Sequence, residues 1–168
     1  MLFRSHRDFY GGTEFDYSRP WYGLGGKVVH WQPRSTDQEG TWNFDADAVS
    51  GKELGFDANN SSQINMIAHA IVESPVERDG FLLIGSSGPL RIWVNGQQVH
   101  RFQDVAGRPF VPDQDLIRIH LHQGTNELLV LSHIGIGPWR TAVRLSTPEE
   151  EKILQPARQP NRQQLAAY

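Results

Sequence analysis

Two histidines, His120 and His122, stand two positions apart in the alternating stretch Ile117-Arg118-Ile119-His120-Leu121-His122. In a β-strand that spacing places both imidazoles on one face, where they can meet one divalent ion. Asp113 or Asp115 would supply the third ligand; the competing reading is a solvated outer face in line with Arg118. Asp57 and Asn59, with Asn60, offer the hard oxygen ligands that calcium prefers. Against this stands the frequent use of Asp and Asn side chains to close turns. His69 lies inside the apolar run 64–72 and reads as a hydrogen-bonded core residue rather than a base.

Hydrolytic and nucleotide chemistry lack their motifs. No Gly-x-Ser-x-Gly elbow occurs, and Gly85-Ser86-Ser87-Gly88 has neither its spacing nor a following helix. There is no Gly-x-x-x-x-Gly-Lys-Ser/Thr phosphate loop. Gly23-Leu24-Gly25-Gly26 leads into a strand, whereas a dinucleotide fingerprint opens a helix. Asp45, Asp47 and Glu53 share a loop and could pair in space, a pairing that no motif encodes. With no cysteine among 168 residues, thiolate nucleophiles, disulfides and Cys-based metal sites are all excluded. No residue is assigned a catalytic role, and no enzyme activity is expected.

The elements that must position these groups are strands. Sixteen Gly, ten Pro and five Trp suit large rings packed between sheets better than a helical bundle. Leu90, Ile92 and Val94 alternate before Asn95-Gly96, the strongest two-residue hairpin signal, with Gln97 to Phe102 as the return strand. Ile64 to Val72 fits a buried strand or a short helix; the flanks Asn59-Asn60-Ser61-Ser62 and Ser74-Pro75 favour strand. Phe81–Ile84, Ile117–Leu121, Glu127–Leu131 and Trp139–Leu145 add further strands. The long connections 45–63 and 103–114 imply jumps between sheets. The expectation is an all-β fold, an antiparallel jelly-roll sandwich of about eight strands over residues 21–146.

Residues 1–20 form an irregular arm rich in rings, expected to lie on the body or on a partner. Residues 147–168 begin as a helix, with Thr147 as N-cap, Pro148 in the first turn and Glu149 to Glu151 behind it, reaching about Gln155. A polar, proline-broken tail follows. Arm and tail each carry as many basic as acidic residues, so the net charge of −3 belongs to the body. That balance is not the footprint of a protein that grips nucleic acid by charge. No stretch approaches the ~20 apolar residues that span a bilayer, and residues 1–8 lack the apolar core of a signal peptide.

From Gly80 onward the order Gly80-Phe81-Leu82-Leu83-Ile84-Gly85-Ser86-Ser87-Gly88, then Ile92-Trp93-Val94-Asn95-Gly96, then Gln123-Gly124-Thr125-Asn126-Glu127-Leu128-Leu129-Val130 and Gly137-Pro138-Trp139 resembles a bacterial galactose-binding-like jelly roll. Gly25-Gly26-Lys27-Val28-Val29-His30-Trp31 is similar to the glycine-then-tryptophan first strand of such domains. Where those domains carry acidic turn residues, this chain has Ser86-Ser87. The resemblance implies a non-catalytic, extracytoplasmic domain of the carbohydrate-binding-module kind, with a structural calcium as the one ion it suggests.

Three readings of function are open. In the first, the protein is an accessory subunit of a larger assembly, held through Phe3, Phe9, Tyr10, Phe15 and Tyr17 of the arm and Arg158, Arg162 and Tyr168 of the tail. In the second, it binds a glycan through loop aromatics and their polar neighbours: Trp21, Tyr22, Trp93, Asn95, Trp139 and Arg140. Trp31 and Trp42 read as packing residues. A small hydrolase or lyase is the third and weakest.

Overall fold

The computed structural model describes residues 17–18, 20–22, 28–33, 35, 42–45, 64–104, 106–134 and 140–157. Among the described residues, ten strands and one helix follow in order: β1 (Trp21–Tyr22), β2 (Val28–Val29), β3 (Trp42–Asp45), β4 (Ile64–Ser74), β5 (Arg78–Ser86), β6 (Leu90–Val94), β7 (Gln97–Phe102), β8 (Asp115–Leu121), β9 (Gly124–Ile134), β10 (Arg140–Leu145) and α1 (Pro148–Ala157). β1 and β2 pair with each other. The other eight make two four-stranded antiparallel sheets, ordered β3-β10-β5-β8 and β4-β9-β6-β7. Counted from β3, those orders are 1-8-3-6 and 2-7-4-5, the interleaving of two Greek keys that defines a jelly roll. The expected fold is therefore present, and the connections 45–63 and 103–114 do carry the chain from one sheet to the other.

Alternation along each strand decides what meets between the sheets. Leu82 and Ile84 of β5, Ile119 and Leu121 of β8 and Val143 of β10 face Leu90, Ile92 and Val94 of β6 and Leu128 and Val130 of β9 in one buried cluster. Side chains fill this space: a void bordered by Val94, Leu121 and Leu128 measures about 10 Å³, room for one water at most. The strand reading of 64–72 holds, and β4 pairs with β9 over its whole length, from Ile64↔Ile134 to Ser74↔Gly124.

Polar side chains lock the turns at one end of the sandwich. Asn95 and Gly96 both have positive φ, 48° and 79°, the conformation of a type I′ hairpin. The Asn95 amide accepts from the Glu127 N–H at 2.8 Å and donates to Asn126 Oδ1 at 2.8 Å. Asn126, 1% exposed, uses its whole amide. Its Oδ1 also accepts from the His122 N–H, and its Nδ2 donates to the carbonyls of His122 and Gly124.

Both outer faces carry cover. On the β5 sheet, the 103–114 connection passes so close that a Cβ on Gly85 would lie 2.6 Å from the Val111 carbonyl oxygen and 2.9 Å from the Phe110 ring. Helix α1 docks instead at the end of β5, against Arg78 and Gly80 of its inward row. Thr147 and Glu150 form a capping box, with Glu150 Oε2 accepting from the Thr147 N–H at 2.8 Å and Thr147 Oγ1 accepting from the Glu150 N–H at 3.2 Å. Glu151 turns inward, 7% exposed, to pair with Arg78 and accept from Ser146 Oγ at 2.9 Å. The helix extends to Ala157, two residues past the expected Gln155.

Replacing Asn126 by Ala strands several buried donors and acceptors at once, and should lower the unfolding free energy by about 2 kcal/mol or more in urea denaturation. Gly85→Ala should cost about 1–3 kcal/mol, because its new methyl meets backbone that cannot step aside cheaply. A neutral result for either substitution would contradict the packing described.

Candidate functional site

Among the described residues, the densest group of chemistry-bearing side chains lies on the outer face of the β5–β8 pair. Register places Asp79 opposite His120 and Arg78 opposite Leu121, so Glu77 stands next to the level of His122, just beyond the paired residues. Glu77 and Asp79 on one chain segment and His120 and His122 on the other are thus two i, i+2 pairs on the same face. His120 Nδ1 lies 3.1 Å from Asp79 Oδ1, and His120 Nε2 lies 3.0 Å from Glu77 Oε1. The two imidazoles meet edge to face, with centroids 5.3 Å apart. Arg118 donates to Asp79 Oδ2. Hydrogen bonds donated to Asp79 and then Glu77 hold the His120 pKa above its ordinary value, and those that Asp79 accepts from Arg118 and then His120 hold it below its own.

Ligand atoms of Glu77, His120 and His122 all lie within 4.8 Å of one another. The expected pairing of the two histidines on one face is present, but the third member is Glu77 rather than Asp113 or Asp115. Asp115 is five residues from His120, so it points to the opposite face of β8, where Arg108 grips it through both guanidinium ends. Asp113 belongs to Arg144, which also binds Glu150. The oxygen ligands proposed for calcium, Asp57 and Asn59, lie outside the described residues.

A second polar group closes the sandwich edge between β7 and β8. The Arg108 guanidinium stacks on Phe102, 4.1 Å from its centroid, donates to the Ser86 carbonyl at 2.9 Å and pairs with Asp115. His100 Nε2 stands 3.5 Å from Asp115 Oδ2, within ion-pair range yet without hydrogen-bond geometry. Burial pushes the His100 pKa below its ordinary value; the Asp115 carboxylate works against that and Arg108 with it.

The remaining sequence-derived candidates fall in different places. Leu129 and Trp93 pair side by side in one row with His69, facing away from the interior, yet Leu129 is 1% and Trp93 6% exposed. Trp93 therefore presents no open face for sugar stacking. At the His69 end of that row, Tyr17 Oη shares a 2.6 Å hydrogen bond with His69 Nδ1 and meets Trp31 edge-on, centroids 6.0 Å apart. Tyr17, expected on a partner or the body, lies on the body and remains 49% exposed. His69 is hydrogen-bonded as expected, but on the outer face rather than in the core. Asn95 spends its amide on the turn lock. The Arg140 guanidinium sits over Phe110 at 4.6 Å. Trp21 and Tyr22 form β1. Trp139, Phe3, Phe9, Tyr10, Phe15, Arg158, Arg162 and Tyr168 lie outside the described residues.

Glu77, Asp79 and Asn126 were not singled out from the sequence. The two acids reach His120 across separations of 43 and 41 residues, which only the strand register reveals. Asn126 follows a Gly-Thr turn, a signal for a bend but not for four hydrogen bonds.

No protein-family model matches the sequence, and no curated protein matches it. Two solved structures of family 35 carbohydrate binding modules from Clostridium thermocellum are similar to it. One shares 19% identity over 51% of this chain and 73% of the module, with a TM-score of 0.37. The other shares 16% over 52% and 73%, at 0.33. The assignment of a jelly-roll β-sandwich stands on the strand order above. Among the described residues no helix is long and apolar enough to cross a membrane.

The buried edge histidine makes a pH prediction. Above its ordinary pKa of 6.5, His100 is neutral folded or unfolded and adds no slope. Below it, the unfolded chain takes up a proton that the folded one resists, so stability falls until the folded-state pKa is passed. Urea titrations from roughly pH 7.5 to pH 5 should show the wild type losing more stability than His100→Gln. Parallel curves would contradict the burial effect.

Proposed function

We propose that the chain is a non-catalytic binding domain that docks onto a larger protein assembly as an accessory subunit. The observation that carries this reading is the closed interior. The sheets meet through apolar side chains, and among the described residues the clusters of titratable groups lie on outer faces or a sealed edge, not around a cleft that could enclose a substrate. Contact with a partner then falls to the surface and to the flanking arm and tail residues. Tyr17 and α1 are both pinned to the body, and they lead into residues 1–16 and 158–168, where the other arm and tail candidates lie. On α1, Glu151 faces inward while Ile153, two positions on, is 73% exposed.

Glycan binding is the alternative, and it needs a ring presented to solvent. Trp93 is covered, and Asn95 and Arg140 are engaged within the chain, which favours docking to protein over this reading. A hydrolase or lyase would need paired groups in a cleft.

Co-purification of the intact chain at its native level should recover a protein partner in fixed ratio. Ile153→Glu and removal of 158–168 should each reduce that recovery several-fold without changing thermal stability. Unchanged recovery in both variants, together with binding on a glycan array, would replace docking by the glycan reading.

A further inference from the structure

We infer that Glu77, His120 and His122 form a binding site for a zinc-class divalent transition metal on the outer face of the β5–β8 pair. Two imidazole nitrogens and one carboxylate oxygen are the donor set that such ions take, and a set that calcium and magnesium, with their preference for oxygen alone, take poorly. His120 Nε2 and Glu77 Oε1 stand 3.0 Å apart. That is close to the spacing of about 3.3 Å between neighbouring ligands around a tetrahedral zinc with bonds near 2.05 Å. The His122 ligand atom lies within 4.8 Å of the other two. All three side chains are solvent-exposed, so an ion can reach them from solvent.

The groups around the three ligands separate this site from a chance surface cluster. His120 directs its other nitrogen, Nδ1, at Asp79 Oδ1, 3.1 Å away. Asp79 is in turn held by Arg118. A carboxylate that receives the far N–H of a ligating histidine fixes its tautomer, aims Nε2 at the ion and raises its basicity. The Arg118–Asp79–His120 relay is thus an outer support already assembled, with Asp79 in a positioning role. His122 is held too, since its backbone N–H and carbonyl are both bound by the Asn126 amide. Three protein ligands leave a fourth position for water or for a group from a binding partner.

The intact chain, dialysed against a chelator and titrated with zinc chloride near pH 7.5, should take up one ion per chain with calcium in excess. In NMR spectra the ring signals of His120 and His122 should move first among the seven histidines. His120→Gln, His122→Gln and Glu77→Gln should each weaken binding by about tenfold or more, and Asp79→Asn by about tenfold although it removes no ligand. These exposed positions lie outside the core, so an unchanged melting temperature in the metal-free variants confirms that the fold is kept. Zinc that moves other histidines first, binding that survives the double substitution of His120 and His122, or displacement by equimolar calcium would overturn the assignment. Unchanged affinity in Asp79→Asn would contradict the relay.

Discussion

The structure depends on the register between β5 and β8. Leu82 opposite Ile117 and Gly80 opposite Ile119 commit one face of both strands to the space between the sheets. The same pairing commits Asp79, Arg118 and His120 to the outside. Since side chains alternate with a period of two, a slip of one residue would send His120 into the core and Ile119 into water. Burial of a large aliphatic side chain is worth roughly 1.5–3 kcal/mol, and several such side chains enforce the register together. The polar cluster on the outside therefore inherits its geometry from the apolar one on the inside. It need not be stable by its own ion pairs, which at exposed positions contribute little.

Around this pair the chain secures each boundary of the sandwich by different means. Arg108, Asp115 and Phe102 close the edge between β7 and β8, while Asn95 and Asn126 tie the turns at one end. Helix α1 enters on a capping box and docks through Glu151, whose carboxylate meets Arg78 and Ser146. Tyr17 and Trp31 lie at the end of a covered row on the opposite sheet. Both outer faces are thus partly occupied by the chain's own segments.

Much of the fold was legible because its signals are local. Asn95-Gly96 announces its turn, Thr147 to Glu150 announces a helix start, and the alternation at 117–121 puts His120 and His122 on one face. The inward aim of Asp115 was also legible, since an odd spacing from His120 places it on the opposite face of the strand. The acids that meet His120 were not, because they arrive from another strand whose register no short motif encodes. Trp93 misleads for a related reason. Alternation correctly turns it away from the interior, but only long-range packing shows that the outer face there is covered.

The cysteine-free sequence allows the β5–β8 register to be tested cleanly. Paired residues in an antiparallel ladder have Cα atoms about 4.5–5.5 Å apart, within the span a disulfide bridges. Oxidation of the double variant Asp79→Cys with His120→Cys should yield an intramolecular crosslink. The variant Asp79→Cys with Leu121→Cys, whose side chains point to opposite faces, should stay reduced under the same conditions. Faster crosslinking of the second pair would mean a slipped register, and with it the loss of the core and of the outer cluster described.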